Sequence, residues 1–228
     1  MKHSIVRVLS LALAGLMLVA CAHPSVPKTP VPASKEVATV NTASPTPYRP
    51  STLTEHPELT PEEIGRRFLA LIDSLKSFDE LSGERVQKVM RLPLTRPPSE
   101  KDEGFFSILL PESNWRYVFS YTINEKHRSL RNAVFEFNNE NEQTGDRALE
   151  DMEPVCGLDF NAYEAALIGM GFKRDDPGDY DELGRLLALQ YLRNNVRVQI
   201  IPRREANTPD AKLNHACARA ISIHAFGP

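Results

Sequence analysis

WRYVFSYTI, residues 115–123, alternates large apolar with smaller or polar side chains without a break. Trp115, Tyr117, Phe119, Tyr121 and Ile123 therefore fall on one face at a period of two, the pattern of a strand with one buried side. An aromatic stripe at that spacing predicts core in preference to an exposed recognition surface. Its neighbours suit the same sheet: Phe105 to Leu110 reads as a short strand and Asn132 to Phe137 as the next strand of a meander. Upstream, Thr60-Pro61-Glu62-Glu63 combines an N-cap, Pro at the first helical position and Glu placed for a capping box. Ile64, Phe68, Leu71, Ile72 and Leu75 follow at helical spacing, which predicts an amphipathic helix to about Ser77. Ser82 caps a second helix with Val86, Val89 and Met90 on one face, and Pro93 stops it. A charged Pro-rich loop, Thr95 to Gly104, leads into the strands.

The second half repeats this order after a polar insertion from Asn138 to Glu153. Asp159 caps a helix from Phe160 to Met170, with Gly169 and Gly171 read as left-handed end caps and Asp175 to Glu182 as an acidic loop. Leu186 to Leu192 and Val196 to Ile201 flank Asn194-Asn195, a hairpin turn, and Ala216 to Phe226 supplies a final strand. The expected fold is α+β, with helices on one face of an antiparallel sheet in two tandem helix-plus-meander halves.

Residues before this domain read as an address and a tether. Lys2, His3 and Arg7 precede an apolar run from Val8 to Ala20, of the length of a secretory signal and too short for a comfortable membrane span. Leu18-Val19-Ala20-Cys21 resembles the lipobox of bacterial lipoproteins. That resemblance implies a signal peptide over residues 1–20, cleavage ahead of Cys21, and lipid on its thiol and freed amine, a durable anchor. The rival is an ordinary signal peptide that leaves Cys21 a free thiol. Ala22, standing where inner-membrane lipoproteins of the enteric type carry Asp, implies an outer-membrane, periplasm-facing location. From Cys21 to residue 59 the composition is rich in Pro, Ser, Thr, Val and Ala, and it predicts a disordered tether ahead of a domain spanning 60–228.

A net charge of −3, from 27 basic and 30 acidic residues, gives no nucleic-acid footprint. Besides Cys21 the chain has only Cys156 and Cys217, and an even pair in an oxidising compartment predicts a structural disulfide. The rival readings are a catalytic or metal-binding thiol, including a thiol–imidazole pair of Cys217 with His215. The histidines beyond the leader are His23, His56, His127, His215 and His224, and none lies in HExxH. GxSxG, a Walker loop and GxGxxG are missing from the sequence, so no catalytic set and no cofactor are expected. Asp175-Asp176 and Asp179-x-Asp181 have alternating oxygens that suit a hard cation, but the EF-hand order is not reproduced and a solvated turn is the preferred reading.

The run 81–94, LSGERVQKVMRLPL, followed by a strand opening Trp115-Arg-Tyr117, resembles the helix-then-WxY layout of small outer-membrane assembly lipoproteins of the BamE/SmpA type. Secreted β-lactamase-inhibitor proteins share that layout in tandem. Leu92 stands where the family has Gly before the Pro. The resemblance implies a sheet face presented to another protein, and hence a lipid-anchored protein-binding domain, an inhibitor or immunity protein against a secreted enzyme or toxin. The alternative is a structural accessory in outer-membrane assembly; an enzyme comes third. Recognition is expected on the loops, at Arg96 and Lys101 in the first and Asp175, Asp176, Asp179 and Asp181 in the second.

Overall fold

The computed structural model describes residues 48–96, 102–124, 126–140, 151–182, 184, 186–203 and 215–225. The aromatic stripe forms strand β3 (Trp115–Thr122), with Trp115, Tyr117, Phe119 and Tyr121 buried. Two of its rings satisfy their polar ends on backbone: Trp115 Nε1 donates to Asp151 O at 2.8 Å and the Tyr117 hydroxyl to Leu59 O at 2.7 Å. Strands β2 (Glu103–Leu110) and β4 (Asn132–Asn139) flank it antiparallel in full register. The second meander comprises β5 (Lys173–Tyr180), β6 (Leu186–Arg193), β7 (Val196–Arg203) and β8 (Cys217–Ala225). With β1 (Ser51–Thr52) added parallel to β2, the described residues form one eight-stranded sheet of order β1-β2-β3-β4-β8-β7-β6-β5. The two halves thus join through their last strands, with Phe135 opposite Ile221 and Ala133 opposite Ile223.

All three described α-helices cover the face that carries Phe119, Phe135 and Tyr191. In α1 (Pro61–Asp73) the Thr60 hydroxyl accepts from Glu63 N, and Phe68 meets the rings of Phe119 and Phe135 at 6.0 and 6.4 Å. Helix α2 (Gly83–Met90) buries Val86 and Met90 and ends on Arg91 in the left-handed region, just before Pro93. Helix α3 (Phe160–Gly169) is capped by Asp159, whose carboxylate accepts from Ala162 N at 2.7 Å. Gly65 lets α1 and α3 approach, since a Cβ there would lie 2.3 Å from the hydroxyl of buried Tyr163. The expected α+β fold, with helices on one face of an antiparallel sheet and a helix-plus-meander order in each half, is what the chain adopts.

Four boundaries differ from the sequence reading. Helix α1 ends at Asp73 instead of near Ser77, and Arg193 donates to the carbonyls of Ile72, Asp73 and Leu75 around that end. Asp175 to Glu182 is largely the edge strand β5 and not a loop; an edge accommodates Pro177, and the register slips around Gly178 at φ 84°. Gly169 is the last helical residue, and only Gly171 has the left-handed φ, at 85°. Ordered backbone begins before Thr60: Tyr48 packs edge-on to Phe105 at 4.7 Å, its hydroxyl lies 2.9 Å from Ser107 Oγ, and Leu59 is buried. Among the described residues no helix is long and apolar enough to cross a membrane.

Candidate functional site

Cys21 and Lys101 lie outside the described residues. Arg96 is exposed beside the short bridge of Thr95 to Phe105, next to β2. Asp175 and Asp179 are exposed on β5, Asp176 contributes described backbone only, and Asp181 opens the turn after it. Five strands separate β2 from β5, a span of about 29 Å at the usual strand spacing. The structure does not bring Arg96 together with the acids of β5.

The β5–β6 hairpin carries more than its acids. Tyr180 and Leu187 are 49% and 51% exposed, two of the few large apolar side chains that the described surface leaves open. Asp179 is held by Gln190, whose amide donates to Oδ2 at 2.9 Å. Gly178 is required where it stands, because a Cβ would meet Leu189 Cδ2 at 3.0 Å and Ala188 O at 3.3 Å on a positive-φ backbone. Sequence reasoning found the acids by their charge but passed over Tyr180 and Leu187, since apolar residues at strand ends ordinarily go to core.

Cys156 and Cys217 form the expected disulfide, with Cα atoms 5.5 Å apart. Around it the start of α3 is stitched to the start of β8. Asp159 pairs with Cys217 as an isolated antiparallel bridge, Phe160 N donates to Ala216 O at 2.8 Å, and Asp159 Oδ2 lies 3.7 Å from His215 Nε2. Among the described residues, the group of three metal-competent side chains with converging ligand atoms is Cys156, His215 and Cys217, all within 4.8 Å of one another.

The helix-free face holds a nucleophile–base pair that no motif search would find. Ser222 Oγ and His224 Nε2 are 2.6 Å apart, two residues along β8, where alternation points both away from the core face of Ile221 and Ile223. Burial lowers the His224 pKa from 6.5, and Arg197, its cross-strand partner, lowers it further. A general base must become imidazolium as it works, and this setting penalises that cation.

The same lowering has a consequence for stability. Above pH 6.5, the ordinary value, neither folded nor unfolded chain is protonated here, and the full stability is present. As pH falls below it, the unfolded chain takes up the proton first, so stability is lost as pH falls through the folded pKa. The melting temperature is therefore expected to drop more between pH 7.5 and 5.5 in the parent than in His224→Asn. Equal drops would remove His224 from the pH response.

No family model matches the chain, and no curated protein or solved structure does so either.

Proposed function

We propose that the chain is a lipid-anchored, periplasm-facing protein-binding domain that acts as an inhibitor or immunity protein, by covering part of its partner instead of transforming it. The observation that carries this is the β5–β6 hairpin, where half-exposed Tyr180 shares β5 with Asp175 and Asp179, and Leu187 is half-exposed on the adjoining strand β6. Charges, a Pro and a register slip are the usual means of blunting a sheet edge against other chains. Large apolar side chains left half-exposed on both strands of the hairpin work against that protection. They fit instead the pairing of apolar or aromatic anchors with a charged rim that concentrates binding energy in interfaces. The acids would steer a partner with a basic rim.

The test uses the full chain in cells, with a photo-crosslinking side chain at Tyr180, at Leu187, or at Arg96 for comparison. One discrete adduct from the first two positions and none from Arg96 is the expected pattern. Asp175→Lys with Asp179→Lys should lower its yield at least about tenfold, or about 1.4 kcal/mol, with the melting temperature unchanged. In the same cells labelled palmitate should enter the parent and not Cys21→Ser. Equal adducts from both edges would dismiss the hairpin as the interface, and equal label would dismiss the anchor.

A further inference from the structure

Two short segments meet at the disulfide corner, and each brings two ligand-type side chains at chelating spacing. Cys156-x-x-Asp159 arrives from the turn before α3, and His215-x-Cys217 from the start of β8. The Asp159–Cys217 bridge and the Phe160–Ala216 hydrogen bond fix the segments to each other through backbone, so their placement does not depend on the sulfur–sulfur bond alone. One oxygen of Asp159 caps α3 while the other faces His215 at 3.7 Å. The ligand atoms of Cys156, Cys217 and His215 lie within 4.8 Å of one another. A tetrahedral zinc ion with bonds of about 2.0 to 2.3 Å needs its ligand atoms about 3.3 to 3.8 Å apart, so for these three side chains small rotations suffice once the sulfurs are released.

We propose that the reduced chain binds one zinc ion through Cys156, Cys217 and His215, with Asp159 beside His215 to orient its ring, so that this corner is closed by a disulfide in the oxidised chain and by a metal in the reduced one. The reductant is a dithiol. One of its thiolates bonds to Cys156 Sγ, the less buried sulfur, and the Cys156–Cys217 bond breaks with Cys217 leaving as thiolate. The second dithiol sulfur then displaces Cys156, the donor departs as its own disulfide, and the protein holds two thiols. Zinc replaces the two thiol protons, which leave to solvent. Two thiolates and an imidazole form a set that suits zinc and not calcium or magnesium, which prefer oxygen.

The experiment uses the full chain carrying Cys21→Ser, so that Cys156 and Cys217 are its only thiols. Native mass spectrometry of the phosphine-reduced chain with zinc should show one metal bound and two protons lost. The oxidised chain should show none. Cobalt in place of zinc should give the visible bands of a tetrahedral thiolate site. His215→Ala should weaken zinc binding at least about tenfold, while the melting temperature of its oxidised form reports any loss of fold. Asp159→Asn keeps the helix cap and should weaken it less. Zinc should raise the melting temperature of the reduced parent and leave that of the oxidised chain unchanged. The proposal is overturned if the reduced chain takes up no zinc. It is equally overturned if His215→Ala, or the parent in urea, binds zinc as tightly as the reduced parent does.

Discussion

Replacing Cys156 and Cys217 together with serine is expected to lower the melting temperature by about 10 °C. The bridge closes a loop with a sequence separation of 61. On the chain-entropy account, opening such a loop returns about 4 kcal/mol of freedom to the unfolded chain. At this size each kcal/mol shifts the transition by about 2 to 4 °C. The corner also ties the start of α3 to β8, so the loss should appear as earlier exchange of the amides of Ala162 and Tyr163, ahead of those in β3. A double variant that melts within about 2 °C of the parent would show that the Asp159–Cys217 bridge and the surrounding core hold the corner unaided.

Arg193→Ala is expected to cost about 2 to 3 kcal/mol, since the guanidinium serves several partly buried acceptors at once. It donates to Met170 O at 2.8 Å, to Leu75 O at 2.9 Å and to Ile72 O at 3.0 Å, with Asp73 O and Oδ1 at 3.4 Å. These are the carbonyls left over where α1 and α3 end, and Phe172 supports the group from one side, its ring centre 4.4 Å from Arg193 Cζ. Alanine would leave these acceptors to partial solvation only. Lysine cannot repair this, because a single ammonium does not span two helix ends as the planar fork does. In urea, the midpoint should fall for both variants with the slope unchanged. Recovery of parental stability in Arg193→Lys would show that charge alone was needed.

Wherever an element carries its own period or caps, the sequence was readable. The stripe from Trp115 to Tyr121, the Thr60-Pro61 start of α1 and the Asp159 cap of α3 each announce local structure, and each stands where expected. The disulfide was legible for a different reason: once Cys21 is assigned to lipid, one pairing is left. β5 was not legible, because an edge strand exposed on both sides needs no apolar alternation, and Asp-Asp-Pro-Gly has the composition of a turn. Tyr48 to Thr52 was hidden in the same way, since Pro and Thr there resemble the tether and only the distant Phe105 and Ser107 reveal the docking. Arg193 and the convergence of Asp159 with His215 depend on contacts far apart in sequence, which leave no trace in any local window.

The position of β8 fixes the order in which this molecule can be completed in time. It is the last strand of the described chain, yet it lies in the middle of the sheet between β4 and β7. Until it arrives, β4 is an open edge, the faces of Phe135 and Val198 have no Ile221 or Ile223 to meet, and Cys156 has no partner sulfur. Pairings of this kind close long loops late and fold slowly. A chain that has emerged only as far as Arg203 therefore holds two unfinished half-sheets, and the whole fold waits on the stretch that carries β8.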